Sequence, residues 1–235
     1  MKVLQKLSLA IALSIAGISA LCAQDDGRMQ VQAKLSFTKS SHEGHRALSA
    51  VVWLKPLQET PSAEFIPSQP YTLLQKNRAF KPHLLVIPVG SVVQFPNDDP
   101  FFHNVFSLFD GKRFDLGLYE AGSTKSVTFS REGVSYIFCN IHPEMSAVVV
   151  TLSTKLFAIA DSSGAFRIAD VAAGDYEMHI WIEGVPVPAL RDMTRRVHIS
   201  MGSADLGKIE MPGELPTVHT NLYGKPYDRE VKPNY

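Results

Sequence analysis

Short apolar and alternating segments, cut by Gly, Pro, Asn and Asp, run along most of this chain. Val31-Gln32-Ala33-Lys34-Leu35-Ser36-Phe37 alternates apolar and polar, and so does Ser126-Val127-Thr128-Phe129. That period of two predicts strands with one face buried. Leu84-Leu85-Val86-Ile87 and Ala147-Val148-Val149-Val150 are unbroken apolar runs, which predict strands covered on both faces. Val89-Gly90-Ser91, Phe109-Asp110-Gly111-Lys112, Glu120-Ala121-Gly122-Ser123 and Arg131-Glu132-Gly133 are turn signals. Asp161-Ser162-Ser163-Gly164 predicts a hairpin turn ahead of Ala165-Phe166-Arg167-Ile168. No long stretch holds a helical apolar period. The expected fold class is all-β, made of sandwiches or barrels.

The same pattern divides the chain into zones. Residues 24–56 hold two strands, the second at Ala50-Val51-Val52-Trp53-Leu54. Lys55 to Asn77 is rich in Pro, Gln, Ser and Thr and reads as a crossing loop. Residues 78–153 form one unit, and residues 154–212 are again strand-rich. The tail, residues 213–235, carries Pro216, Pro226 and Pro233 among polar residues and predicts an extended arm or disorder.

The first residues look like an export signal. Lys2 and Lys6 make a basic start, Leu7 to Ala20 is apolar, and Leu21-Cys22-Ala23 ends in a small residue. Residues 1–23 are expected to be removed after Ala23, which places the mature protein in the periplasm or outside the cell. The apolar run is short for a bilayer span and no later one is longer, so no stable membrane span is expected.

Removal of the signal leaves 21 Lys+Arg against 23 Asp+Glu, from 23 of each in the whole chain. A slightly acidic chain without a basic stripe excludes an electrostatic nucleic-acid binder. No Gly-x-Ser-x-Gly elbow, Walker loop or Gly-x-Gly-x-x-Gly fingerprint occurs, and no enzymatic activity is expected. The chain has 2 cysteines, Cys22 and Cys139, so the mature protein keeps one and cannot be a disulfide scaffold.

That remaining thiol lies in Cys139-Asn140-Ile141-His142-Pro143-Glu144-Met145. Thiolate, imidazole and thioether are soft donors and suit copper in both oxidation states. A trigonal copper site needs a second imidazole from another element. His103 follows the Pro96-Asn97-Asp98-Asp99-Pro100 turn and opens an apolar strand. The candidate ligands are therefore His103, Cys139, His142 and Met145. Zinc is the rival ion, but a thioether is a poor fourth ligand for it. Taken singly, a buried cysteine is ordinary packing. His42-Glu43-Gly44-His45 lacks further ligands nearby and is expected to be a solvated loop. His83, His179, His198 and His219 are scattered.

Phe80-Lys81-Pro82, Val89-Gly90-Ser91-Val92-Val93-Gln94-Phe95, Asn97-Asp98, His103-Asn104-Val105, Gly133, Tyr136-Ile137-Phe138-Cys139 and the ligand loop together resemble the cupredoxins, the type 1 blue copper proteins. The Cys-x2-His-x2-Met spacing resembles the short loop of amicyanin. The resemblance covers residues 78–153 and implies a cupredoxin Greek-key β-sandwich holding one type 1 copper. It implies a trigonal plane from Cys139, His103 and His142, and a weak axial Met145. It also implies that Asn104 ties the two ligand loops together, and that Phe101, Phe102 and Pro143 form an apolar patch where electrons pass. Ser163-Gly164-Ala165-Phe166 and Gly174-Asp175-Tyr176 resemble carboxypeptidase-regulatory-like, transthyretin-like sandwiches. This implies a discontinuous second domain of residues 24–77 and 154–212, with the copper domain inserted. The whole is most similar to exported methylamine-utilisation-type proteins that join such domains.

The expected function is single-electron transport between periplasmic redox partners. Two alternatives stand beside it: a copper-binding or copper-delivery protein without a redox circuit, and a carbohydrate-binding or adhesive module.

Overall fold

The computed structural model describes residues 27–37, 49–58, 65–108, 111–201 and 204–211. The expected signal segment, the His42 to His45 loop and the tail from residue 213 lie outside these. The described residues form an all-β fold of two sandwiches. None of their helices is long and apolar enough to cross a membrane.

In the first sandwich, a five-stranded sheet runs in the order β6 (Leu84–Pro88), β12 (Ser146–Leu152), β11 (Gly133–Phe138), β8 (His103–Ser107), β9 (Phe114–Tyr119). The β6–β12 pair is parallel and the other pairs are antiparallel. A three-stranded sheet, β10 (Thr124–Phe129), β7 (Ser91–Pro96) and β3 (Tyr71–Thr72), completes it. Phe95, Val105, Phe129, Ile137 and Val149 fill the core they share. A short ribbon pairs β4 (Leu74–Gln75) with β5 (Phe80–Lys81). The expected boundary at residue 77/78 is therefore misplaced, because β3 pairs with β7 and β4 with β5. Backbone pairing decides this, and a polar, Pro-rich stretch gives no side-chain period to announce it.

In the second sandwich, β1 (Met29–Phe37) lies between β14 (Ala165–Val171), antiparallel, and β17 (Asp205–Met211), parallel. The other sheet runs β13 (Phe157–Ile159), β2 (Ala50–Pro56), β15 (Gly174–Ile182), β16 (Arg195–Ile199). Chain segments from before and after the first sandwich thus join in one structure. The short helix α1 (Val187–Asp192) follows β15, with a proline in its first turn, where a missing N–H costs nothing.

The Asp161–Gly164 turn is tight but is not a hairpin. Asp161 Oδ1 accepts from the backbone N–H groups of Ser163 and Ala165, at 2.8 and 3.0 Å. The strands it joins go to different sheets, β13 to β2 and β14 to β1. Turn chemistry reports a reversal of direction and says nothing of the partner strand. Gly164 has φ +83°, and a Cβ there would stand 2.4 Å from the Leu35 carbonyl oxygen. Gly164→Ala is expected to cost about 1–3 kcal/mol, from left-handed strain plus this clash. A lower urea midpoint at unchanged slope is the measurement.

Strand β12 shows how the sandwiches meet. Ala147 and Val149 pack into the first core, and Val148, Val150 and Leu152 into the second. Both faces of its sheet are covered, which accounts for an apolar run without alternation. Polar contacts cross the same junction. The Trp181 indole N–H donates to the Tyr136 hydroxyl at 3.2 Å, and His83 Nε2 lies 3.0 Å from the Glu183 carboxylate.

Candidate metal centre

His103, Cys139 and His142 converge at one end of the first sandwich. His103 is the first residue of β8, and Cys139 follows the last residue of β11. The loop from Cys139 to Met145 folds back so that Met145 adjoins the start of β12. The Cys139 N–H donates to the Met145 carbonyl at 3.3 Å, and the Met145 N–H to the His142 carbonyl at 2.9 Å. Two strand ends and one tight loop therefore fix the positions of the donors.

The Cys139 Sγ stands 3.7 Å from His103 Nδ1 and 3.8 Å from His142 Nδ1, and the two Nδ1 atoms are 3.2 Å apart. Ligand bonds of about 2.0–2.3 Å place three donors round one ion at about 3.5–4 Å from one another, close to this spacing. All three residues are buried, with ligand atoms within 4.8 Å of one another. Among the described residues this is the group of His, Cys, Asp and Glu side chains that could hold an ion. Met145 is fully buried in the core cluster that includes Cys139. A soft thiolate and two imidazoles fit copper, and Met145 lies on the same loop as Cys139 and His142.

The electrostatics prepare the donors. Burial opposes ionisation of Cys139, yet contact with the His103 ring and hydrogen bonds from the backbone N–H groups of Asn104, His142 and Ile141 hold its thiol below the usual range. Burial also works against the His103 cation, but contacts with Cys139 and Asp99 raise it above the ordinary histidine value. His142 is lowered, by burial first and then by the charge on His103. The combination favours a thiolate on Cys139 and a neutral ring on His142, the forms in which these groups bind metals.

Several neighbours differ from expectation. The Asn104 side chain donates to Asp115 Oδ1 on β9 at 2.7 Å, so the tie between the ligand loops is made by its backbone instead. Alternation along β8 turns the side chain away from His103, and its backbone N–H serves the Cys139 sulfur. Phe101 packs against both imidazoles, with ring centroids 5.3 Å from each. Phe102 and Ile141 are exposed beside it, at 52% and 38%. The second imidazole itself is 3% exposed.

Asp99 plays a part that sequence reasoning missed. Its Oδ2 lies 2.8 Å from His103 Nε2, and the residue is 5% exposed. It looks like one more turn-former in Asn97-Asp98-Asp99-Pro100. The available signal was its position four residues before a candidate ligand. His42 and His45 lie outside the described residues.

A family model described as polysaccharide lyase family 4, domain II, matches residues 155–205, within the second sandwich. No curated protein matches the chain. Among solved structures it is similar to a Cu-containing nitrite reductase from Thermus scotoductus SA-01, at 24% identity and a TM-score of 0.36. That likeness covers 43% of this chain and 26% of the reductase, so the chain spans about a quarter of that protein. A purple cupredoxin from Nitrosopumilus maritimus shares 26% identity, with 36% of this chain and 100% of that one covered, at a TM-score of 0.31. A point mutant of amicyanin in its reduced state shares 21%, covering 39% of this chain and 95% of that one, at 0.34.

Proposed function

We propose that this chain is an exported type 1 copper protein that carries single electrons between periplasmic redox partners. One ion would be held by Cys139, His103 and His142, with Met145 as the weak axial donor. The convergence of thiol and imidazoles in a buried, preformed triad carries the proposal. Copper, when bound, supplies a one-electron Cu(II)/Cu(I) couple.

The chain's own residues do the rest. Strands β8 and β11 and the Cys139–Met145 hydrogen bonds hold the donors in one compromise geometry, so little rearrangement accompanies a change of charge. Phe101 covers both imidazoles and excludes water. Phe102, Ile141 and Pro143 offer a small apolar rim, suited to a brief redox encounter. The second sandwich is proposed as a carboxypeptidase-regulatory-like module that supports the copper unit across β12, on the strength of Gly164-Ala165-Phe166 leading into β14 and Gly174-Asp175-Tyr176 in β15.

Copper added to the purified full chain is expected to give an intense visible thiolate-to-copper band and rapid electron self-exchange. A colourless copper complex would sink the proposal. Colour with slow self-exchange would support metal delivery instead.

A further inference from the structure

Behind His103, two consecutive non-glycine residues take left-handed backbone angles, Asn77 at φ 57° and Arg78 at φ 54°. Such a pair costs energy at each position and survives where the surroundings fix it. Here it aims two successive N–H groups at one carboxylate. The Asn77 N–H donates to Asp99 Oδ1 at 2.6 Å, and the Arg78 N–H to Asp99 Oδ2 at 3.0 Å. Successive N–H groups in such turns make anion-binding nests. The two segments are also stitched by the Asp98 N–H on the Gln75 carbonyl at 2.9 Å and by Lys76 on Asp98 at 2.6 Å. On its other side, the Asp99 N–H donates to Asn97 Oδ1 at 3.1 Å, and Asn97 Nδ2 to the Phe101 carbonyl at 2.8 Å. The carboxylate therefore has one orientation. Its Oδ2 also lies 2.8 Å from His103 Nε2.

We propose that Asp99, gripped by the Asn77–Arg78 nest, is a positioning residue that fixes His103 as its Nε2–H tautomer and lowers the reduction potential of the site. A carboxylate accepts and never donates when ionised, so the ring proton must sit on Nε2. Nδ1 is then left bare, facing the Cys139 sulfur and His142. A negative charge behind the ring strengthens Nδ1 as a donor and favours the more highly charged ion. The potential rests on the copper reading of the site; the tautomer does not.

Asparagine tests this because it keeps the shape and loses the charge. Its one oxygen can serve the nest, but its amide N–H groups then face the ring proton. In the copper-free full chain at alkaline pH, long-range 1H–15N NMR is expected to show Nε2–H on His103 in the wild type and loss of that tautomer in Asp99→Asn. With copper, Asp99→Asn is expected to bind Cu(II) about 10–100-fold more weakly, with a potential shifted upward. Glu120→Gln, at an exposed acid of the same sandwich that takes no part in the clamp, is expected to change neither. An Nδ1–H tautomer in the wild type overturns the proposal even if the variant fails to fold. So does an Asp99→Asn protein with unchanged tautomer, affinity and potential. An Nε2–H tautomer in a chain that binds no copper leaves the clamp standing and removes the electron-transfer function.

Discussion

Cys139→Ser is expected to abolish the visible absorption of the copper-loaded protein completely and to stop electron self-exchange. Serine is nearly isosteric, so the buried position keeps its packing. It does not keep the charge. The Cys139 thiol is held down by contact with the His103 ring and by hydrogen bonds from the Asn104, His142 and Ile141 backbone. They ionise a thiol readily, but an alcohol starts far higher and remains protonated. Without a thiolate there is no sulfur-to-copper charge transfer, and the two imidazoles alone favour a weaker, harder site. Met145→Leu separates the axial role from the equatorial one. It is expected to keep the colour and raise the potential, because a weak donor has been lost while the thiolate remains. Optical and EPR spectra of both variants, beside the wild type, make the comparison. A coloured Cys139→Ser protein contradicts the site assignment.

The ligand loop is legible in the sequence because its donors are close together. Cys139, His142 and Met145 lie on one short loop, and no fold could separate them far. His103 is 36 residues from Cys139, and only its place after a Pro-Asn-Asp turn marks it. The structure puts its Nδ1 against both partners. Asp99 is illegible for the opposite reason. An acid in a turn normally satisfies its own backbone, whereas this one satisfies N–H groups 21 and 22 residues earlier. Such pairing needs the third dimension. Asn104 is half legible: its backbone N–H makes the expected tie to Cys139, while Asp115 on the strand partner β9 claims the side chain. Period and turn chemistry report strands and reversals well. They cannot report which strand lies beside which. The Asp161–Gly164 reversal therefore reads as a hairpin, and residues 71–77 read as part of the other sandwich.

The double burial of β12 has the largest consequence for stability. Val149 is fully buried in the first core and Val150 is 1% exposed in the second. A sandwich standing alone would bury one of these neighbours and leave the other in water. Val149→Asp and Val150→Asp are therefore expected to be about equally damaging, each by several kcal/mol, since neither site offers a partner for a carboxylate. That loss is a large share of the stability of an ordinary domain. Urea unfolding of both variants, followed by tryptophan fluorescence, reads it out. Trp53 and Trp181 both belong to the second sandwich, and Trp181 reaches across the junction to Tyr136. If the sandwiches meet as described, Val150→Asp weakens the junction and shifts the fluorescence transition strongly. A Val150→Asp protein as stable as the wild type would mean that this face of β12 meets solvent, and that the second sandwich does not support the copper unit.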